Sequence, residues 1–254
     1  MKWEAVTAML LLPIAFSRAG FEQTEGGARA RAMGNAFVGL ADDVWAIQYN
    51  PAGLARVSSL EFSGFYSPQP FGLAELRLMA LAAAYPTSVG TFGVAARRFG
   101  FELYRETSFS IGYAREIGGV FAGLNVNYHS VAIERYGSAE TFALDAGVLV
   151  PVVESLRFGI AARNVSAAAI GESRERLPQT FTAGLAYSPI ENADMAFDYQ
   201  KEPGFVASPR GGIEYWIIRE VVLRLGFSDQ PSSYTAGLGL RYMFVQFDYG
   251  FATH

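Results

Sequence analysis

The chain predicts an all-β fold: a transmembrane antiparallel β-barrel with an N-terminal segment folded into its lumen as a hatch. Three observations carry this expectation. First, the sequence is apolar, 51% hydrophobic with 17% charged residues and a mean hydropathy of +0.18, where soluble domains carry roughly 25% charged residues. Second, no run of about 18–20 apolar residues is present to cross a bilayer as a helix. Third, from residue 59 onward apolar residues recur with period two, the signature of strands with one oily and one small or polar face.

The elements follow in chain order. "MKWEAVTAMLLLPIAFSRAG" places Lys2 ahead of an apolar run from Ala5 to Phe16, with small residues Ala15, Ser17 and Ala19 at its end. Residues 1–19 are therefore expected to be a secretory signal peptide, although Glu4 and Pro13 depart from the ideal pattern. Residues 20–57 are rich in Gly, Ala and Asn-Pro and do not alternate. Asp42 or Asp43 is placed to N-cap a short helix "VWAIQY" that must end before Pro51, and Asn50 to cap a further turn beginning at Pro51. Arg29 and Arg31 are candidates to pair with luminal acids.

Residues 58–254 are expected to form the barrel wall. The predicted strands are 59–67, 73–85, 88–99, 103–115, 119–135, 139–151, 155–165, 178–188, 192–201, 208–217, 220–228, 233–242 and 243–251. Several reach the roughly 9–11 residues that a tilted bilayer-crossing strand needs. After every second strand the connection is short, as at Pro86-Thr87. The alternate connections, such as "SAAAIGESRERLP" and "EPGFVAS", are mostly longer and more polar, although those near 100 and 137 are brief. Loops sorted in this way by rim describe an outer-membrane barrel. Tyr66, Tyr85, Tyr113, Tyr128, Tyr187, Tyr199, Tyr215, Tyr242 and Tyr249 fall mostly near strand ends, where an interfacial girdle places them.

The apolar face should then touch lipid, and the second face should line the lumen. Asn125, Asn127, His129, Asp145, Arg163, Asp198, Glu214, Arg224, Arg241 and Asp248 are the expected luminal polar residues, interspersed with glycines such as Gly123, Gly147 and Gly184. A barrel of about 12–14 strands is too wide for its own side chains to fill, and the glycines leave room for a segment inside it.

Several function classes are excluded or unsupported. A net charge of −4 with no basic stripe argues against nucleic-acid binding. With no cysteine there is neither a disulfide framework nor a thiolate metal site. His129 and His254 are the only histidines and are far apart in sequence, so no catalytic or metal constellation is expected and no cofactor is implied. The glycines of "AGLGL" lie within a strand and do not lead into a helix, so they are not a dinucleotide loop.

"GARARAMGNAFVGLADDVWAIQYNPAGLA" (27–55) resembles the N-terminal signature of PorV/PorQ-type outer-membrane proteins, related to FadL-type long-chain fatty-acid transporters. "LRFGIAARNV" (156–165), "LPQTFTAGLAYSP" (177–189), "GGIEYWIIREVVLRLGF" (211–227) and "AGLGLRYMFVQFDYGF" (236–251) extend the resemblance. It implies a monomeric barrel of about 14 strands in the bacterial outer membrane, in contact with its lipid. It also implies either passage of hydrophobic small molecules or service in type IX secretion as a docking platform for exported protein domains. Together with the segment's composition it nominates Asn35, Phe37, Asp42, Asp43, Trp45, Asn50 and Pro51 for the hatch and ligand path. On the secretion reading, Arg174, Glu175 and Arg176 would meet the cargo. Thirteen strands are counted where such barrels have an even number, so the chain is expected to lack its last strand.

Overall fold

The computed structural model describes residues 20–21, 26–68, 70, 73, 75–230 and 232–253. Residues 1–19, on which the signal-peptide expectation falls, lie outside them. All thirteen expected wall strands are present in one antiparallel sheet, each paired with the next. They are β1 (Glu61–Pro68), β2 (Arg77–Thr87), β3 (Gly90–Gly100), β4 (Tyr104–Ile117), β5 (Val120–Ile133), β6 (Gly137–Val153) and β7 (Leu156–Arg163). After a two-residue pair, β8 (Ala169–Ile170) and β9 (Glu175–Arg176), the wall continues with β10 (Thr180–Ile190), β11 (Ala193–Lys201) and β12 (Ser208–Ile218). It ends with β13 (Val221–Ser228), β14 (Ser233–Tyr242) and β15 (Val245–Ala252). β1 and β15 are the two ends of the strand order, and no ladder joins them among the described residues.

The period-two pattern resolves in the expected sense. On β5, Leu124 is 63% exposed and its neighbour Asn125 is 1% exposed. Phe142 and Leu144 on β6 are likewise exposed, while Ala143 between them is buried. The outer surface is a continuous belt of Leu, Val, Ile, Phe and Tyr. The inner surface carries Ala, Gly, Asn, Thr and paired charges. This is the reverse of a water-soluble core and the arrangement of a barrel in lipid.

The connections sort by rim. Those at 88–89, 118–119, 154–155, 191–192, 219–220 and 243–244 are each two residues long. The opposite rim carries 69–76, 101–103, 134–136, 164–179, 202–207 and 229–232, the longest of which folds β8 against β9. Register shifts in the ladders fall at Pro151/Val153, Tyr187/Ile190 and Trp216/Ile218, all beside two-residue turns, where an extra residue tightens the local twist. Tyr85, Tyr113, Tyr187, Tyr215 and Tyr242 point outward toward this same rim, and Tyr66 and Tyr199 toward the other. Tyr128 is half-buried beside Phe109 and Phe142.

Inside the sheet lie α1 (Ala28–Ala32), α2 (Ala46–Tyr49) and a 3₁₀ turn (Pro51–Arg56). α1 meets β13, β14 and β15, and the 3₁₀ turn meets β3, β4, β5 and β6, so the sheet wraps around the segment from both sides. Met33, Phe37, Leu40, Ile47 and Leu54 are among the segment residues that, with Trp45, Tyr49 and several alanines, form most of the apolar core. The wall makes room for them with glycine: a Cβ on Gly123 would stand 2.4 Å from the Pro51 carbonyl carbon, and one on Gly212 would stand 2.5 Å from Met33 Cβ. Gly34, at φ +65°, turns the chain where a Cβ would meet the Phe227 carbonyl oxygen at 2.2 Å.

Candidate functional site

The site is the lumen, and the N-terminal segment is tied into it by polar anchors spaced along its length. The first is ionic. Arg29 reaches Glu214 on β12 through Nε to Oε2 (3.0 Å) and Nη2 to Oε1 (2.9 Å), while its Nη1 contacts Asp42 (2.6 Å) and Asp43 (3.1 Å). Glu214 also accepts from Arg224 on β13, whose Nη1 donates to Asp248 on β15 at 2.6 Å. Glu214 and Arg224 are both buried, and reciprocal pairing is what makes such burial tolerable. Among three carboxylates the Arg29 guanidinium is held well above its ordinary pKa, against the opposing effect of burial. Burial pushes the Asp43 carboxyl up to about 6, opposed by Arg29 and by the Trp45 N–H and reinforced by Asp42. Burial likewise lowers Arg56, whose Nη1 donates to the Leu40 carbonyl at 2.5 Å and lies 3.8 Å from Asp42.

The second anchor is Asp198 on β11. It accepts from the backbone N–H groups of Phe37 (2.8 Å) and Val38 (2.9 Å), so a buried carboxylate meets two donors of a tight turn. The Phe37 ring packs edge-on to Tyr49 at 5.3 Å, and the Tyr49 hydroxyl donates to Asn35 Oδ1 at 3.1 Å. The third is Asn50. Its Oδ1 caps the 3₁₀ turn at the Ala52 N–H (3.2 Å), and its Nδ2 donates to the carbonyls of Val38 (2.9 Å) and Val148 (3.1 Å). Asn125 on β5 donates to the Ile47 carbonyl at 2.6 Å. Trp45 is buried against Phe65, with Nε1 donating to Ser63 Oγ at 3.0 Å. Pro51 lies against Gly123 and Gly147.

The nominated segment residues thus bond or pack to the wall, to its anchors or, as Asn35 does with Tyr49, within the segment, but two sequence expectations are corrected. α2 starts at Ala46, two residues later than expected, with Trp45 at the N-cap position and no side-chain bond there; Asp43 caps the turn that leads into it, Oδ1 accepting the Trp45 N–H at 2.8 Å. Asp43 divides its oxygens between the Trp45 N–H and Arg29, and Asp42 turns to Arg29 and Arg56. Of the two arginines expected to pair with luminal acids, Arg29 does so, whereas Arg31 lines the open lumen with no carboxylate in ion-pair reach among the described residues.

Between the segment and the longer-loop rim lies a cavity of about 800 Å³. Asn35, Ile47 and Gln48 form part of its floor, and Asn127, His129, Asp145 and Arg163 stand in its walls. Asn127 donates to Asp145 at 2.7 Å, His129 Nδ1 lies 2.9 Å from Ser108 Oγ, and the Arg163 guanidinium stands 5.9 Å from the Tyr49 ring centre. Arg241 shares the inward row of β14 but stands exposed at the short-turn rim, stacked over Trp216 at 4.4 Å and bonded to Gln246.

Sequence reading missed two cavity residues. Phe21 is buried against His129 (ring centres 4.8 Å apart) and faces the Arg97 guanidinium at 6.0 Å. Arg97 donates to Ser108 Oγ at 3.1 Å, while its Nη1 is buried with no hydrogen-bond partner. Alternation along β3 was the available signal for Arg97, because it shares a face with Gly93 and Ala95. Nothing in the sequence around Phe21 indicates its position. Asn164, just past β7, is buried, accepting from the Ala168 N–H (2.8 Å) and donating to the Leu177 carbonyl (3.1 Å).

Wall, lining and inner segment together define a transmembrane β-barrel with an occupied lumen. No protein-family model and no curated protein matches the chain. Solved structures do match its fold. The Pseudomonas putida toluene transporter TodX aligns with a TM-score of 0.65 at 12% identity, covering 90% of this chain and 92% of that one. The Ralstonia pickettii toluene transporter TbuX aligns at 0.61 and 14%, covering 91% and 93%. A Pseudomonas aeruginosa FadL homologue aligns at 0.60 and 10%, covering 90% and 88%.

Proposed function

We propose that this protein is an outer-membrane barrel that takes up hydrophobic small molecules from the longer-loop side, with residues 27–57 as a hatch beneath the luminal cavity. The observation that carries this reading is that cavity, floored by the segment and entered beside the long loops. The aligned toluene transporters and FadL homologue support the same direction. The lining narrows the ligand class. Arg31, Arg97, Arg163 and Arg210 face the cavity with Asp145 and Glu202 of opposite sign in the lining and Glu106 4.0 Å from Arg97, while Phe21, Leu177 and Ile47 supply apolar surface. An apolar molecule with an anionic end suits both sets. Passage requires the hatch to shift, which breaks bonds such as Asn50 to Val148, so ligand affinity must favour the shifted state.

Uptake of a labelled long-chain carboxylate by a transporter-deficient strain tests this, with toluene as the uncharged comparison. Uptake above the empty-vector level is expected, and a fall of several-fold in Arg97→Gln. No uptake of either compound overturns the reading.

A second reading has its own observation. The β8–β9 hairpin presents Arg174, Glu175 and Arg176 as an exposed charged tip on the longer-loop rim, and such a tip suits a docking platform for an exported protein. Co-purification of a secreted cargo domain that is lost on replacing all three residues by serine would favour it.

A further inference from the structure

The outer wall carries an arginine cluster beside its longer-loop rim. On β2, β3 and β4 the outward row nearest the longer-loop rim holds Arg77 and Arg105, paired across Gly100 from either side. One step lower on the same face stands Arg98, opposite Met79 and Thr107. All three arginines are exposed, and none has a carboxylate in ion-pair reach among the described residues. Diagonal neighbours on a sheet are about 7–8 Å apart, so Arg98 can act together with either of the others. Gly100 contributes no side chain between Arg77 and Arg105, which leaves the space between them open.

Directly below, the same face is hollowed. Gly64, Ala83 and Ala96 are small, and Phe62, Leu81 and Phe109 stand around them, bordering an apolar groove of about 670 Å³. Ala96 lies two residues before Arg98 on the same face. Guanidinium groups above an acyl-sized groove, at the level where headgroups meet hydrocarbon, match a lipid with phosphate at one end. Arginine suits phosphate because its planar fork can donate two bonds at once.

We propose that this face binds an outer-leaflet glycolipid, an acylated phosphorylated disaccharide, with its phosphate among Arg77, Arg98 and Arg105 and one acyl chain along Gly64, Ala83 and Ala96. The assignment to the outer leaflet rests on the proposed orientation, with the longer loops outside. The occupant itself rests on the groove and on the three arginines, none of which lines the luminal cavity.

The test is native mass spectrometry of the detergent-purified barrel with the diphosphorylated hexa-acyl disaccharide, its dephosphorylated form, phosphatidylglycerol and inorganic phosphate as probes. The expected result is one retained molecule of the phosphorylated glycolipid, binding at least tenfold weaker in R77S/R98S/R105S and several-fold weaker in Ala96→Phe, which fills the groove without touching the charges. Heat-modifiable gel mobility confirms that each variant keeps a folded barrel. Retention unchanged in the triple variant, or equal retention of the dephosphorylated lipid, overturns the site. Retention of phosphatidylglycerol as strong as that of the glycolipid overturns the choice of lipid, as does binding of phosphate alone at the same affinity. Uptake through the lumen is expected to be unchanged in R77S/R98S/R105S, so loss of transport and loss of lipid separate the two readings.

Discussion

Arg29 and Glu214 are 185 positions apart in the chain and meet through two parallel hydrogen bonds of 3.0 and 2.9 Å in the barrel interior. The pair joins the inner segment to β12, and through Arg224 and Asp248 to β13 and β15. Removing one partner leaves the other charge buried and uncompensated. Glu214→Leu is therefore expected to destabilise the barrel by about 3–5 kcal/mol, read as a lower midpoint in denaturant titration from detergent. The apolar double variant Arg29→Met/Glu214→Leu should recover part of that loss, and a double variant no better than the single one would show that the pair is not the source.

Asp198 serves two N–H groups at once. Asp198→Ala leaves the Phe37 and Val38 donors unpaired where water does not reach, a cost of about 1–3 kcal/mol. Asp198→Asn retains an acceptor oxygen and should cost less. Equal losses for the two variants would remove the hydrogen bonds from the explanation.

Gly123 faces the backbone of Pro51, and a Cβ there would stand 2.4 Å from it. The backbone cannot yield as a side-chain tip can, so Gly123→Val should force the segment away from β5 while the wall still pairs. The expected outcome is a raised single-channel conductance in planar bilayers with heat-modifiable mobility intact, as for deletion of residues 27–55. Conductance equal to that of the parent in both variants would deny the segment its role as a plug.

The pH dependence follows from Asp43. Its carboxyl is pushed up to about 6, chiefly by burial, while an unfolded aspartate titrates near 3.8. Between these values the folded chain holds a proton that the unfolded chain has released, so this group makes stability fall as pH rises from about 4 to about 6. Arg29, Asp42 and Glu61 are the charged groups that face it. Asp43→Asn should flatten that fall, as measured by unfolding midpoints across the window. A parallel curve for the variant would place the proton elsewhere.

The lipid-facing assignment predicts a depth-dependent penalty. Val126 lies midway along β5 on the outer face, paired with Ile111 and Leu144, and Val126→Arg should destabilise the barrel by about 2–4 kcal/mol in vesicle folding titrations. The luminal neighbour Asn125→Ala loses its bond to Ile47 instead, and its effect should not depend on bilayer thickness.

The wall was legible because one physical rule, the alternation of Cβ direction, acts on every strand without reference to distant residues. That rule placed Leu124 outside and Asn125 inside before any coordinates were needed, and it put Arg241 on the correct face. It did not reveal that Arg241 stands at the rim, since depth depends on shear and tilt, not on periodicity. The inner segment was less legible because its partners are remote. Asn50 was readable, since its cap is local to Pro51. The Asp43 bond to Trp45 was readable for the same reason, but its pairing with Arg29 was not, and Phe21 owes its position to His129, more than a hundred residues away.

The bonds from Arg29 to Glu214 and from Gly34 to Thr235, with the packing of α1 on β15, also order events in time. The stretch that emerges early in synthesis finds its seat among strands made last, so it must wait loosely until the cylinder is nearly finished. Assembly of this protein should therefore end with a locking step that follows strand pairing, and protease cleavage within residues 27–57 should persist after the wall itself has become resistant.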